Sequence, residues 1–436
     1  MKSMPRLDER LADRFRIDAH VGEGGMGVVY RGFDLERDET VAIKILQQGM
    51  VDNVTRFARE VAALARIDDP GIVRYVAHGL TLDDDPFLVM EWIEGTTLEE
   101  HLIKVGVTAA EAIALVRRIG QALAPAHACG IVHRDLKPAN ILLVAGDVAQ
   151  PKIIDFGLAR RGFGDSRLTE TGTAVGTPSF MSPEQARGER ELDPRTDTFA
   201  LGCLLYECLT GVPAFGGRNA AAIMARIVMC EPPALRASWF EAPTALEQVT
   251  AQLLATDRDG RPADGAAVAA LLDSIEAPVT ARRRRLDSST VVTSVGKTAT
   301  YVIFVQADEL DEAAIRAALA PFGARIERLL DGKLVAVLQK DAATAARCAL
   351  ALRRCLPDAA IVVAGPQGDD TVVPLTKLFD AAGAALEVAD LGQIFASDLD
   401  PSAIRIDAAT AARLSSEFVI EQDRNAVFLL GERGAQ

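Results

Sequence analysis

The residues with the most reactive chemistry lie in the stretch His133–Asn140, which reads HRDLKPAN. It places the carboxylate of Asp135, the ammonium group of Lys137 and the carboxamide of Asn140 close together along the chain. An ionised aspartate can accept a hydroxyl proton, a lysine can hold a phosphoryl group, and a carboxamide oxygen can ligate Mg2+. Further along, Asp155 follows an apolar run and offers a second oxygen ligand. The stretch therefore predicts phosphoryl transfer assisted by a magnesium ion.

A glycine-rich segment nearer the N-terminus has the pattern G-x-G-x-x-G, with Gly22, Gly24 and Gly27. Because glycine has no Cβ, its backbone can approach phosphate oxygens and direct amide groups at them. Dinucleotide-binding proteins share this pattern, but there the glycines join a strand to a helix and an acidic residue follows about 20 residues later. Here the glycines lead into β-type residues, and Lys44 ends the strand-like run VAIK, where its ammonium group suits a triphosphate. Glu60, in the helical stretch that follows, is predicted to pair with Lys44.

Two regions of different periodicity supply these residues. Short strand-like runs between Phe15 and about Ala110, interrupted by one helical stretch, predict a small and mostly β region. From about Ala109 to Ile275, apolar residues recur at helical spacing and predict a mostly helical region. Residues 276–298 contain a proline, a run of arginines and many serines and threonines, and they are predicted to form a linker.

The pattern changes again in residues 299–434. Alternating and helical apolar spacing predicts the order β-α-β-β-α-β, which is typical of a compact α+β domain with helices on one face of a sheet. The predicted elements are strands at 301–305, 326–330, 334–338 and 361–364 and helices at 311–319 and 342–355.

Composition narrows the classes of function. The chain has 436 residues, of which 49% are hydrophobic, so each predicted domain can bury a core. Its net charge of -14 argues against nucleic acid as a partner, because phosphate backbones attract basic surfaces. No apolar run is long enough to span a membrane, and the scattered cysteines include no C-x-x-C pair. The cysteines predict buried, reduced thiols and a cytoplasmic location.

Five features of the sequence resemble, in their order and spacing, the motifs of the eukaryotic-like protein kinase family. They are the glycine segment, the VAIK lysine, the later glutamate, the stretch HRDLKPAN and the sequence DFG at 155–157. Within that family, the sequence is similar to the bacterial serine/threonine kinases. The resemblance extends from about Phe15 to Leu272 and implies the bilobal protein kinase fold over residues 10–275, with ATP and Mg2+ as cofactors. Lys137 replaces the alanine or arginine usual in tyrosine kinases, which implies serine and threonine hydroxyls of proteins as acceptors.

The resemblance also implies a role for each matching residue. The catalytic residues are Asp135, Lys137, Lys44 and Glu60, and the metal ligands are Asn140 and Asp155. The nucleotide-binding residues are Val21, Gly22, Gly24, Gly27, Val29, Ala42, Lys44, Glu91, Ile93 and Leu142. Within this set, backbone groups of Glu91 and Ile93 bond the adenine, and Met90 lies behind its pocket. Asp197 is implied to accept backbone hydrogen bonds from the catalytic loop and so to hold Asp135 in place.

The segment Gly176–Glu184 resembles the end of a kinase activation segment. Arg134 directly precedes the catalytic aspartate, and a phosphothreonine on the activation segment would supply negative charge to pair with it. We therefore expect autophosphorylation at Thr171, with Thr169 or Thr173 as a second site.

Residues from about Thr300 to Arg433 resemble, less closely, the class III nucleotide cyclase homology domain. The resemblance lies in YVIF at 301–304, DG at 331–332 and the ending FLLGER at 428–433. Active cyclases need two carboxylates to hold two metal ions on the triphosphate. In this sequence, Gln306 occupies the first metal position, although Asp308 lies nearby, and Asp331 remains at the second.

Other functional positions of that family also differ here. Glu327 stands where the family has a base-reading lysine, and Asp380 and Ala384 stand where it has asparagine and arginine. The resemblance therefore implies a ferredoxin-like α+β cyclase homology domain that has lost cyclase activity and acts in regulation, docking or nucleotide binding.

The sequence thus predicts an α+β protein in which a serine/threonine kinase domain precedes a degenerate cyclase-like domain. Two alternatives stay open: a pseudokinase scaffold whose halves only bind partners, and a bifunctional kinase and nucleotide cyclase in which Asp308 replaces Gln306. The intact set of kinase residues argues against the scaffold. The sequence also leaves open a dimer and a nucleotide or protein ligand of the C-terminal domain.

Overall fold

The computed structural model describes residues 10–24, 27–46, 58, 61–156, 178–276, 299–307, 310–366, 373, 375–390, 403–414, 416–423 and 426–433. The chain divides into two compact units. The first unit is Met1–Ser182, Arg190–Pro213 and Ala234–Ser288, and the second is Pro183–Glu189, Ala214–Pro233 and Ser289–Gln436. Two segments from the predicted kinase region therefore pack with the C-terminal region, while the domain boundaries at 275 and 299 stay predictions.

The first unit begins with a six-stranded antiparallel sheet. Its strands are β1 (Arg10–Leu11), β2 (Phe15–Gly24), β3 (Gly27–Asp34), β4 (Glu39–Leu46), β5 (Tyr75–Leu80) and β6 (Pro86–Glu91), in the order β1-β2-β3-β4-β6-β5. On β4, Val41, Ile43 and Ile45 share one face of the strand and are buried in the same hydrophobic core. The predicted β region is confirmed over its described residues.

A second, three-stranded sheet follows in the first unit. It consists of β7 (Gly95–Thr97), β8 (Ile141–Val144) and β9 (Pro151–Ile153), in that order. The pairing of Ile141 with Ile153 brings the start of β8 beside the end of β9. This small sheet is the support for two of the predicted site residues.

The helices as far as residue 273 are α1 (Leu98–Lys104), α2 (Ala109–Ala128), α3 (Pro183–Ala186), α4 (Arg195–Thr210), α5 (Ala220–Met229), α6 (Leu235–Ser238), α7 (Thr244–Leu253) and α8 (Gly265–Asp273). Of these, α3 and α5 belong to the second unit. Helix α2 begins with a capping box between Thr108 and Glu111. Its apolar stripe from Ala112 to Leu123 is buried, which confirms the helical spacing predicted for this region.

The C-terminal part of the second unit contains the predicted β-α-β-β-α-β order. The elements are β10 (Tyr301–Gln306), α9 (Glu312–Leu319), β11 (Arg325–Arg328), β12 (Leu334–Leu338), α10 (Ala342–Cys355) and β13 (Ala360–Ala364). Strands β11-β12-β10-β13 pair antiparallel, an arrangement known as a split βαβ. The classification of this part as a ferredoxin-like cyclase homology domain stays a prediction.

Five further elements complete that unit. They are α11 (Leu375–Asp390), β14 (Ile404–Ile406), α12 (Ala408–Arg413), β15 (Phe418–Asp423) and β16 (Ala426–Glu432). The whole sheet has the order β11-β12-β10-β13-β14-β16-β15. Its core lies between the sheet and helices α9 and α10, where Ile303, Val305 and Leu352 are buried.

The cysteines differ partly from their prediction. All of them are free thiols, and Cys203, Cys208 and Cys348 are buried as expected. Cys129 and Cys355 are exposed, so the prediction of buried thiols was wrong for both. The reason is position, because Cys129 is the C-cap of α2 and Cys355 is the last residue of α10, where helices reach the surface. Among the described residues, no helix is both long and apolar enough to cross a membrane.

Candidate functional site

Asp197 anchors the loop that carries the predicted catalytic base. Its side chain is buried at the start of α4. Its Oδ2 accepts the backbone N–H of His133 at 2.7 Å, and its Oδ1 accepts that of Arg134 at 2.9 Å. Burial alone would raise the pKa of Asp197, but hydrogen bonds from His127 and the loop outweigh it and hold the pKa below its ordinary value. The predicted backbone hydrogen bonds from the loop to Asp197 are confirmed.

The loop has an unusual backbone conformation just before its aspartate. Arg134 has φ 67°, in the left-handed region that residues other than glycine rarely adopt. His133 supports the same turn, because its Nδ1 accepts the backbone N–H of Asp135 at 3.2 Å. Its Nε2 then carries the hydrogen and donates to the carbonyl of Ile154 at 3.0 Å. His133 therefore supports the loop structurally through both of its ring nitrogens.

The Asp135 carboxylate lies between a cation and an amide. Its Oδ2 accepts from Lys137 Nζ at 3.0 Å and from Asn140 Nδ2, also at 3.0 Å. Asn140 Nδ2 donates in addition to the backbone carbonyl of Asp135 at 2.7 Å. Since the amide nitrogen of Asn140 is committed to Asp135, its amide oxygen is the atom suited to a cation. The structure thus brings the three HRDLKPAN residues together as predicted.

The three-stranded sheet positions the two predicted metal ligands. Asn140 directly precedes β8 and Asp155 follows β9, and the N–H of Ile154 donates to the Asn140 carbonyl at 3.0 Å. A strap of residues 71–73 fixes β9 from its other side, where the N–H of Val73 donates to Ile153 at 2.9 Å. Asp155 has φ 56°, so the chain makes a sharp turn at this ligand. Sequence inspection gave no signal for the strap.

Lys44 lies on β4 and is almost completely buried. Its Nζ forms an ion pair with Asp155 Oδ2 at 2.8 Å, a contact that the sequence analysis did not propose. The predicted partner, Glu60, lies outside the described residues, so the pair between Lys44 and Glu60 stays a prediction. The structure therefore joins the lysine to one predicted metal ligand.

The glycine segment forms the hairpin between β2 and β3. Gly22 pairs with Val29, and Gly24 pairs with Gly27, while residues 25 and 26 lie outside the described chain. Gly27 has φ 151°, and a Cβ there would lie 2.1 Å from the carbonyl oxygen of Ile45. Gly27 is thus required for the close approach of β3 to β4, in addition to its predicted role at a phosphate.

The predicted adenine contacts are placed on one sheet face by strand register. Residues paired across antiparallel strands share a face, as do residues two apart on a strand. Val29 pairs with Lys44, and Ala42 pairs with Met90, so these four side chains lie on the same face. The N–H of Glu91 already donates to the carbonyl of Arg74, which leaves the Glu91 carbonyl as its backbone group for adenine.

The remaining predicted nucleotide contacts are Val21 on β2, Ile93 after β6 and Leu142 on β8. Val21 is half exposed. Among the described residues, no group of three or more His, Cys, Asp and Glu side chains could hold a metal ion by itself. Mg2+ commonly binds through one or two carboxylates together with substrate phosphates, so Asp155 and the Asn140 oxygen fit such an ion.

One residue of the site was missed by sequence reasoning. His127 is buried near the end of α2, and its Nε2 bonds Asp197 Oδ2 at 2.9 Å. Its Nδ1 accepts the backbone N–H of Gly265 at 3.0 Å, so the imidazole connects α8 to Asp197, which anchors the loop that carries the predicted catalytic base. The predicted phosphorylation sites Thr169, Thr171 and Thr173 lie outside the described residues.

The sequence matches known families and proteins over the part that carries this site. Residues 15–271 match the family described as protein kinase domain. Serine/threonine-protein kinase PknL of Mycobacterium tuberculosis is 37% identical over 274 residues, which cover 62% of this chain and 67% of PknL. PknD of the same organism is 38% identical over 290 residues, and pkn3 of Myxococcus xanthus is 33% identical over 296 residues. This chain spans about half of those two, 43% of PknD and 53% of pkn3.

Solved structures show the same fold. The kinase domain of Mycobacterium tuberculosis PknI superposes with a TM-score of 0.50 at 23% sequence identity. The superposition covers 62% of this chain and 99% of the PknI domain. The matched family pattern ends at residue 271 and so does not test the predicted resemblance of residues 299–434 to cyclases.

Proposed function

The chain belongs to the protein kinase domain family and is a serine/threonine-protein kinase, and we propose that this site transfers the γ-phosphate of ATP to serine and threonine hydroxyls of protein substrates. The observation that carries the proposal is the Asp135 carboxylate. Lys137 and Asn140 each contact it at 3.0 Å, on a loop whose backbone is anchored by buried Asp197.

In the proposed reaction, the acceptor hydroxyl oxygen forms a bond to the γ-phosphorus while the bond to the β–γ bridging oxygen breaks and ADP leaves. Asp135 accepts the hydroxyl proton, and Lys137 neutralises charge on the transferring group. Asn140 and Asp155 would hold Mg2+, which supplies neutralisation of phosphate charge when bound. Lys44 exchanges its contact with Asp155 for the phosphates, whose negative charge suits its ammonium group.

A direct assay separates the proposed kinase from its alternatives. The full chain is incubated with Mg2+, ATP labelled on the γ-phosphate and a generic acceptor protein. Label on serine and threonine of the acceptor supports the proposal. A folded chain that binds ATP but transfers no label would instead be a pseudokinase scaffold. Cyclic nucleotide formed beside labelled protein would identify the bifunctional alternative.

We further propose that residues 299–434 are a degenerate cyclase-like domain with a regulatory role. Two positions at which cyclases have functional residues, a base-reading lysine and an asparagine, are engaged otherwise. Glu327 Oε2 accepts from Arg187 at 3.2 Å, and Asp380 Oδ2 accepts from Arg226 at 2.6 Å. The remaining candidate metal ligand, Asp331, pairs with Lys333 at 3.0 Å. These contacts favour docking over nucleotide chemistry.

The full chain is expected to form no cyclic nucleotide from ATP or GTP with Mg2+ or Mn2+, since one retained carboxylate does not hold two metal ions. Product is measured by chromatography beside an active cyclase as the positive control. Cyclic product that disappears in Asp331→Ala but persists in Asp358→Ala would contradict the degenerate assignment.

Activation by autophosphorylation is part of the proposal. Arg134 lies beside the catalytic aspartate, and a phosphothreonine offers its guanidinium three strong acceptor oxygens. Mass spectrometry of the active chain is expected to find phosphate on Thr171, with Thr169 or Thr173 as a second site, and none in Lys44→Met. The triple Thr→Ala variant should lose activity, whereas Ser166→Ala in the same segment should not. Full activity without modification at 169–173 would rule out this switch.

A cytoplasmic location is also proposed, supported by cysteines that are all free thiols. Protein substrates follow from the kinase reaction. A dimer, and a nucleotide or protein ligand of the C-terminal domain, stay predictions, as does the absence of a nucleic-acid partner.

A further inference from the structure

Helix α5 carries a buried cation whose partner comes from the C-terminal region. The side chain of Arg226 is only 4% exposed. Its Nη2 donates to Asp380 Oδ2 and to the carbonyl of Thr376, both at 2.6 Å, and both acceptors belong to α11. A buried guanidinium without its carboxylate would be strongly destabilising, so the position of α5 depends on α11.

The N-terminal end of α5 is held by the same carboxylate. Asp380 Oδ1 accepts the backbone N–H of Arg218 at 2.9 Å, just before the N-cap residue Asn219. Helix α11 approaches this cap so closely that a Cβ at Gly383 would lie 2.7 Å from Asn219 Oδ1. One carboxylate therefore joins two points of the 214–233 segment to α11.

The C-terminal end of α5 is held by a different element. Arg325 on β11 donates to the carbonyl oxygen of Val228 at 2.8 Å and to that of Met229 at 3.2 Å. These are the last carbonyls of the helix, where a cation is favoured by both hydrogen bonding and the helix dipole. Residues 299–433 thus contact both ends of α5.

The same region also contacts the segment Pro183–Glu189. The backbone N–H of Leu330 donates to the carbonyl of Ala186 at 2.8 Å, and Arg187 Nε donates to Glu327 at 3.2 Å. This segment begins with Pro183 and Glu184, the last two residues of the stretch that resembles the end of a kinase activation segment. The predicted nucleotide-binding residues, in contrast, all lie in the first compact unit.

We propose that residues 299–433 act in cis as a positioning module, which docks on segments 183–189 and 214–233 and sets the geometry at the end of the activation segment. Asp380 is the central positioning residue, because its carboxylate neutralises the buried guanidinium of Arg226 and accepts the backbone N–H of Arg218 just before α5. The module acts on the protein-substrate side of the reaction and leaves ATP binding unchanged. The activity readout of this inference rests on the proposed kinase function, whereas its structural readout does not.

The test compares Asp380→Asn with wild type in the full chain. Hydrogen exchange of the 220–229 backbone is expected to rise. Turnover with a protein acceptor is expected to fall at least about fivefold, while the KM for ATP stays within about twofold, since coupling between distinct sites commonly has this size. Glu432→Gln is the matched control, because it removes a carboxylate that pairs with Arg347 at 2.7 Å inside the C-terminal region.

Arg325→Ala provides a second variant that is expected to fold, because the Arg325 side chain is 55% exposed. It should change exchange and turnover in the same direction by a smaller factor. The proposal is overturned if Asp380→Asn and Arg325→Ala both show the same hydrogen exchange at 220–229 as Glu432→Gln. It is also overturned if both show the same turnover as Glu432→Gln. A wild-type chain without kinase activity refutes the proposed function, and the exchange measurement still decides whether the docking exists.

Discussion

Asp155→Asn is expected to reduce phosphoryl transfer by at least about a hundredfold, because removal of one electrostatic stabiliser of a transition state has at least this effect. The substitution keeps the size of the side chain but removes the charge that would bind Mg2+ and that pairs with Lys44 at 2.8 Å. Asparagine tolerates the left-handed backbone of this position, φ 56°, so the turn after β9 is retained. Initial rates with saturating ATP and a protein acceptor measure the loss.

Asp13→Asn is the matched control for this experiment. Asp13 is exposed and has φ 54°, so the same chemical change is made at the same backbone conformation away from the site. We expect Asp13→Asn to keep wild-type turnover. Lys44→Met should lose activity as Asp155→Asn does, since it removes the other member of the ion pair. Near-wild-type turnover in a folded Asp155→Asn or Lys44→Met protein would refute the site assignment.

Local spacing made much of the site predictable. Asp135, Lys137 and Asn140 lie within a single loop, so their types and order limit the chemistry before any tertiary contact is known. Elements with strong periodicity were also predictable: α10 spans 342–355 and β12 spans 334–338 in both prediction and structure. In each case the signal is a periodic pattern of apolar residues. These residues are close together both along the chain and within the helix or strand that they form.

Contacts between distant residues were not predictable in this way. His127 reads as an isolated histidine near the end of a helix, and nothing in its surroundings along the chain indicates Asp197 or Gly265 as partners. Arg226 is a single cation in the apolar helix AAAIMARIVM, and along the sequence Asp380 indicates only a position that differs from cyclases. Long-range pairing depends on tertiary packing, which a single sequence does not encode as a periodic signal.

Asp197→Ala is expected to have the largest effect on folding of any substitution considered, together with a loss of activity. Three donors face this carboxylate: the backbone N–H groups of His133 and Arg134 and the imidazole of His127. Each buried donor left unsatisfied costs about 1–3 kcal/mol, so we expect the free energy of unfolding to fall by at least about 3 kcal/mol. Urea denaturation at neutral pH measures this loss, and Asp193→Ala, also on the approach to α4, is the control.

The activity of Asp197→Ala should fall by more than its unfolded fraction explains, because Asp197 holds the strained backbone at Arg134. The N–H of Arg134 bonds Asp197 at φ 67°, and release of this turn would displace Asp135 from its contacts with Lys137 and Asn140. A displacement of about 1 Å can cost about a hundredfold in rate. Turnover is therefore compared with the folded fraction of the same sample, and a loss that only matches unfolding would contradict the anchoring role.

The pH dependence of stability provides an independent check on the charge of Asp197. Because its pKa in the folded protein lies below the ordinary aspartate value, the ionised form stabilises the fold above that ordinary value. This contribution is lost as the pH falls from the ordinary value through the lowered pKa. Acid should therefore reduce the free energy of unfolding of the wild type more steeply than that of Asp197→Ala. Parallel acid profiles would mean that the buried carboxylate does not stabilise the catalytic loop through its charge.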